Sequence, residues 1–339
     1  MPYADWGERS PRWAGIRSEV VDVRGVAVHL VRADAAPGAP PDGSTQLLVH
    51  PMGASAVWWL DVLGPLTAHG PVVAPDLPGT VAGHTGLPHP NAARAQNNAR
   101  FLRAFTDALG LDHVVVHGWS TGGLAALLFA DVAPKRVDRL VLVDATLPGP
   151  LTARQALGWQ TLGRLALFAG PPIARGLLGV FGRRLIDLKL RYADPAVLAA
   201  GRLDVAGGDL SRLSPEMAAL WAEEFKQMRS RPGRLGGAVP AFASAVSAMY
   251  VPRRPVEQAI DRVAVPTLLL WGDQDPLIER AVIDDLIARR PDWNLHVFET
   301  VGHLVPLEVP DAYVDVVGRW LAEHRKPPDV KANMDPPGV

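Results

Sequence analysis

Short runs of apolar residues and longer stretches with helical spacing take turns along most of this chain. Glu19–Arg24 and Val26–Arg32 each alternate apolar and polar positions, the pattern of half-buried strands, and Gly25 between them predicts a hairpin. A loop rich in Pro, Gly and Ala follows (Ala35–Gly43). Gln46–His50, Val72–Pro75, His113–His117 and Arg139–Asp144 then read as strands, with Ala56–His69, Asn91–Leu109 and Thr121–Val132 as helices between or after them. From about Leu147 to Arg254 the rhythm breaks into helical sequence interrupted by Gly and Pro. It resumes with strand Thr267–Trp271, helix Ile278–Arg290, strand Leu295–Glu299 and helix Asp311–His324. Short apolar strands alternating with helices of ten or more residues predict an α/β fold, a doubly wound, mostly parallel sheet covered on both faces. The organisation expected is a core formed by 19–146 and 255–324, an inserted helical segment 147–254, an N-terminal extension 1–18, and a tail 325–339 whose four prolines predict disorder. No internal repeat is visible.

Composition narrows the classes without choosing one. A chain of 339 residues with 48% hydrophobic content has material for a large core. A net charge of −1 gives no reason to invoke nucleic acid. The absence of cysteine removes disulfides, thiolate zinc sites and a cysteine nucleophile together. No apolar run is long enough to span a bilayer, and Met1–Trp13 has no hydrophobic leader core, so the default expectation is a cytoplasmic protein. The ten histidines show no metal-ligand spacing such as H-E-x-x-H and there is no phosphate-binding loop, so no cofactor and no metal are expected.

The candidate chemistry begins at Gly118-Trp119-Ser120-Thr121-Gly122, a G-x-S-x-G pattern between an apolar strand and a helix. In that setting the glycines permit a turn so tight that the serine hydroxyl stands exposed at the carboxyl edge of the sheet. The amino terminus of the following helix favours negative charge at the same spot. A serine nucleophile needs a base, and the base needs an orienting acid. Leu270-Trp271-Gly272-Asp273-Gln274-Asp275-Pro276 ends a strand in a turn with two aspartates, and Val301-Gly302-His303-Leu304 follows the last strand. Both segments fall at carboxyl ends of strands, the edge at which open α/β sheets bind ligands.

With these pieces, and His50-Pro51-Met52-Gly53 and Ala74-Pro75-Asp76-Leu77-Pro78-Gly79 beside them, residues 19–324 resemble the α/β-hydrolase superfamily, as an esterase- or lipase-like serine hydrolase with a helical lid. The resemblance implies a triad of Ser120, His303 and Asp275, with Asp273 the nearby rival acid and Asp144 a second one. Capping of the following turn is the plainer role for Asp144 and Asp76. It also implies an oxyanion hole from the Thr121 N–H and a donor in the loop after the third strand. There the chain reads His50-Pro51 where most relatives have His-Gly; proline has no N–H, so the donor is expected at Met52, with His50 a buried structural residue.

The segment between Asp144 and the penultimate strand is where the resemblance places a lid. Its helices, apolar on more than one face, predict a hydrophobic substrate pocket, with Trp119, Trp159, Phe168, Tyr192 and Tyr250 as candidate lining. Between Arg154 and Arg191 stand seven basic residues and one acid, Asp187. A solvated face explains such a run; docking to an acidic carrier protein or anionic lipid is the sharper alternative. Paired lid tyrosines serve epoxide hydrolases, but those enzymes use an elbow aspartate: opening an epoxide on Ser120 would leave an inert ether. The expectation is therefore hydrolysis of a carboxylic ester of a hydrophobic small molecule through an acyl-enzyme. Thioester, lactone or C–C bond hydrolysis by the same residues is the nearer alternative. A non-hydrolytic cyclase or a triad-retaining ligand receptor is the more distant one.

Overall fold

The computed structural model describes residues 5–40, 43–80, 82–86, 91–174, 207–230 and 235–325. Eight strands form one sheet: β1 (Arg17–Val23), β2 (Val26–Ala33), β3 (Thr45–Val49), β4 (Val72–Pro75), β5 (Val114–Trp119), β6 (Val137–Val143), β7 (Thr267–Gly272) and β8 (Asn294–Phe298). Their order is β1-β2-β4-β3-β5-β6-β7-β8. The hairpin β1–β2 turns at Arg24-Gly25, both at positive φ, and β2 runs antiparallel to β4; every other pair is parallel. The carboxyl ends of β3, β5, β6, β7 and β8 therefore share one edge.

Strand sequences such as Val114-Val115-Val116 and Leu140-Val141-Leu142-Val143 are apolar at every position because both faces are covered. Val115, Val141 and Val143 face a layer with Leu60, Leu63, Tyr313, Val317 and Trp320. Val114, Val116, Leu140 and Leu142 face the opposite layer with Leu102, Phe105, Phe129, Ile260 and Leu286. Residues 5–16, set apart by the sequence as an extension, belong with the core. Trp6, Trp13 and Ile16 are buried there, and the Trp13 indole donates to Asp61 at 2.8 Å.

Between β6 and β7 the described chain is helical. A helix starts at Ala153, capped by Thr152 and Gln155, passes a π-turn at Trp159–Gly163, and continues to residue 174. Helices Pro215–Ser230, Leu235–Tyr250 and Arg254–Arg262 follow, the last returning to the core through Val256, Ala259 and Ile260. Tyr192, most of the basic run and the expected C-terminal tail lie outside the described residues. No described helix is long and apolar enough to cross a membrane.

Candidate active site

β5 runs straight into the helix Thr121–Val132, and Ser120 joins them at φ 54°, ψ −118°. That conformation is strained for a residue with a side chain and persists because the surroundings fix it. Ser120 N–H donates to the Val143 carbonyl (2.8 Å), and the Ser120 carbonyl accepts from Gly123 (2.9 Å) and Thr146 (3.0 Å). Gly122 must be glycine, because a β-carbon there would strike the Val49 carbonyl of β3. Ser120 is 8% exposed. Among the described residues its hydroxyl has one hydrogen-bond partner, Thr146 Oγ1 at 3.4 Å; no hydrogen bond joins it to His303.

His303 follows β8 in a buried loop, and its Nδ1 lies 2.7 Å from Asp275 Oδ2. The other Asp275 oxygen accepts from the N–H groups of Leu277 (2.7 Å) and Ile278 (3.1 Å), so the carboxylate is held in one orientation. Asp273, the rival in the same turn, makes no bond to His303; its buried Oδ1 has no partner. Backbone bonds from Asp273 to Phe298 and from Gln274 to Val301 tie the aspartate turn to the histidine loop. The Trp119 indole donates to the His303 carbonyl at 2.9 Å, linking the residue before the serine to the same loop.

Two further acids stand beside this histidine loop: Glu308, which the sequence did not single out, and Asp144, the second rival acid. Glu308 accepts from Gly302 and Leu304 N–H, both at 3.2 Å, bracketing His303 from either side. Its signal in the sequence is an acid inside the apolar run Leu304-Val305-Pro306-Leu307-Glu308-Val309. Asp144, at the end of β6 and at φ 43°, accepts from the Gly272 N–H (3.0 Å). Burial, and then the charge of Asp275, hold its pKa well above the ordinary carboxylate value. The turn-capping role expected of it is replaced by a bridge between β6 and the Asp275 turn.

The loop after β3 shapes the other side. His50 is fully buried; its Nδ1–H donates to the Pro51 carbonyl (2.8 Å) and its Nε2 accepts from Leu77 N–H (3.0 Å), fixing the tautomer and the turn before Met52. Burial depresses its pKa, consistent with a neutral structural ring. Asp76 accepts from the Ala56 and His84 amides and from His29, which overcome its burial and keep it ionised. Glu224, from helix Pro215–Ser230, reaches the same loop, where it accepts from Ser55 Oγ (2.5 Å) and Trp58 Nε1 (2.7 Å). Among the described residues neither the Met52 nor the Thr121 amide is committed to a turn or loop hydrogen bond. Both residues line a pocket of about 450 Å³, its open mouth included, with Leu77, Leu124, Asn98 and the small side chains Ala238, Ala241 and Ala245 of helix Leu235–Tyr250.

The expected pocket residues are placed otherwise. Trp119 is fully buried behind the elbow, against Trp58 and Trp59. Trp159 stacks on Tyr250 with ring centroids 4.5 Å apart, and Phe168 is 84% exposed. None of these lines the pocket.

A mostly parallel eight-stranded sheet that presents a strained serine, a histidine and a paired aspartate along one carboxyl edge defines the α/β-hydrolase class. The chain belongs to the alpha/beta hydrolase family, whose profile matches residues 46–316. It is 29% identical over 288 residues to a 2-hydroxy-6-oxo-6-phenylhexa-2,4-dienoate hydrolase of Burkholderia cepacia, covering 83% of this chain and 88% of the relative. It is likewise 29% identical over 291 residues to a 2-hydroxy-6-oxo-2,4-heptadienoate hydrolase of Pseudomonas putida, covering 83% and 90%. The crystal structure of Cfl2 from Burkholderia cenocepacia superposes with a TM-score of 0.68 at 24% identity over 94% of this chain and 99% of that one, which shows the shared fold. Fold and relatives together identify the chain as a hydrolase; the bond it cleaves is a separate question.

Proposed function

We propose that this protein is a serine hydrolase that cleaves a carboxylic ester of an uncharged, apolar substrate through an acyl-enzyme. The observation that carries the reading is the His303–Asp275 bond of 2.7 Å on the edge where Ser120 stands at the elbow. Asp275 accepts the Nδ1–H, which leaves Nε2 as the base that takes the proton of Ser120 as its oxygen attacks the ester carbonyl. Asp275 then stabilises the imidazolium. The Thr121 and Met52 amides receive the oxyanion, supported by the positive end of helix Thr121–Val132. The alcohol leaves with the proton from His303, and water repeats the sequence on the acyl-serine. Nucleophile–base contacts are commonly long in unliganded enzymes and tighten with substrate, which accommodates Ser120 resting on Thr146.

The second reading, hydrolysis of a C–C bond next to a carbonyl, is favoured by the dienoate hydrolases among the relatives. A dienoate brings a carboxylate that needs a cationic partner. Among the described residues the pocket beside Met52 and Thr121, whose lining does not include Ser120 or His303, has no charged side chain, which supports the neutral ester for the part of the substrate it would hold.

The test is a series of p-nitrophenyl esters and a 2-hydroxy-6-oxo-dienoate, with Ser120→Ala as control. Each methylene entering an apolar pocket contributes about 0.8 kcal/mol, roughly fourfold in kcat/KM, so efficiency should climb over several acyl carbons and then fall. A fluorophosphonate should label Ser120 and nothing in Ser120→Ala. Faster turnover of the dienoate would move the assignment to C–C cleavage. Labelling of Ser120 without turnover of any substrate would favour the cyclase or receptor alternatives.

A further inference from the structure

Three carboxyl groups, Asp144, Asp275 and Glu308, surround His303, and among the described residues no lysine or arginine is hydrogen bonded to any of them. Their hydrogen bonds are unequal. Asp275 receives three, from Leu277 N–H, Ile278 N–H and His303 Nδ1–H. Glu308 receives two, from the amides on either side of His303. Asp144 receives one, on Oδ1, while among the described residues its buried Oδ2 has no partner. The side chains of Asp144, Asp275 and His303 each bring an atom within 4.8 Å of the other two. Like charges this close in a buried site do not both ionise readily, and the proton stays on the group with the fewest donors. By this count that group is Asp144, and burial and the neighbouring Asp275 raise its pKa in the same direction.

We propose that Asp144 is a second, proton-bearing carboxyl of the site: it leaves Asp275 as the carboxylate hydrogen bonded to His303, and it takes over as partner of the histidine when Asp275 is lost. The inference rests on the triad reading above. Asp144 is a positioning residue, acting on the reaction through His303. With Asp275 intact, its proton remains on Oδ2. When Asp275 becomes Asn, the like charge that suppressed ionisation is gone; Asp144 releases its proton to solvent, and its carboxylate can accept the Nδ1–H. The φ of 43° is one that Asp and Asn tolerate, so Asp144→Asn preserves the backbone.

The experiment is a double-mutant cycle on a short p-nitrophenyl ester with wild type, Asp144→Asn, Asp275→Asn and the double variant, kcat and KM measured from pH 6 to 9. We expect Asp144→Asn to lower kcat about tenfold or less in the wild type but about 100-fold or more beside Asp275→Asn, a coupling that independent residues do not show. In Asp275→Asn the rate should also rise with pH further than in wild type, because Asp144 must ionise to serve. That extra rise should vanish in the double variant. Glu308 opposes that ionisation in the variant, and in the wild type Asp275 opposes it as well. An equal or smaller Asp144→Asn penalty beside Asp275→Asn overturns the inference. Asp144→Gly, which removes the carboxyl and adopts this φ freely, repeats the cycle should the Asn variant fail to fold. Ser120→Ala keeps the two failures apart: if it still hydrolyses the ester, the triad reading itself has failed.

Discussion

Ser120 pays a conformational cost for its position. At φ 54°, ψ −118° a side-chain-bearing residue stores on the order of 1–3 kcal/mol, and glycine is largely free of that strain. Ser120→Gly should therefore raise the free energy of unfolding by about 1 kcal/mol or more while abolishing turnover, checked by urea unfolding beside the ester assay. A destabilised variant would mean that the serine side chain contributes more to the fold than its backbone costs. The elbow was legible because glycines flanked a serine between an apolar strand and a helix. The turn offered two aspartates, and only the family resemblance pointed to Asp275 rather than Asp273; His303 was suggested by the glycine before it and its position after the last strand. Thr146 and Glu308 were not, since their roles depend on which buried amide or hydroxyl a turn in space brings to them. Phe168 misled for a related reason: apolarity shows that a helix has a face to cover, and says nothing of which neighbour covers it.

At the scale of elements, the helix Pro215–Ser230 presents Met217, Leu220, Trp221 and Glu224 at i, i+3, i+4 and i+7, one acid completing an apolar face. Burial raises the Glu224 pKa from 4.5 to about 7, against the pull of the Ser55 and Trp58 hydrogen bonds. The sign follows from proton counts. Between pH 4.5 and about 7 the folded state keeps a proton that the unfolded state has released, so this group's contribution to stability falls as pH rises and is level above that window. The full change is on the order of 3 kcal/mol. The wild type should lose melting temperature between pH 5 and 8, and Glu224→Gln should flatten that decline. An unchanged slope would place the titration elsewhere. Strands β3 to β8 were readable to within a few residues because each carries a short apolar run bounded by turns. Ala56–His69 was read as one helix, yet only Leu60–Leu66 is α-helical, with 3-10 turns on either side. Gly64-Pro65 explains part of this, as proline there has no N–H for the ladder.

Across the whole molecule, His117 joins three distant parts of the chain. Its Nδ1 accepts from the Tyr313 hydroxyl (2.7 Å) and its Nε2–H donates to Gln46 Oε1 (2.9 Å). Burial lowers its pKa from 6.5 to about 3, so the folded state refuses a proton that the unfolded state accepts. The stability held by this group is complete above pH 6.5 and is lost towards pH 3, at up to about 1.4 kcal/mol per pH unit. His117→Asn should weaken the fold at pH 7 yet show a shallower loss from pH 6 to 4 in urea titrations. A parallel loss in both proteins would assign acid sensitivity to the other buried groups. The doubly wound architecture was visible in the alternation of strands and helices, whereas this three-way junction was not, because a histidine inside a valine-rich strand names no partner.

The same junction sets the order in which the protein can be completed as it is made. Gln46 and His117 are synthesised early, but the hydroxyl that satisfies the histidine belongs to the last described helix, Pro310–Glu323, which also covers one face of the central strands. Until that helix leaves the ribosome, a growing chain exposes an apolar sheet face with an unpaired polar group within it, the kind of surface that associates with its own copies. Chains that terminate shortly before residue 310 should therefore be clients of chaperones and proteases rather than smaller enzymes, although every residue of the proposed triad has already been made.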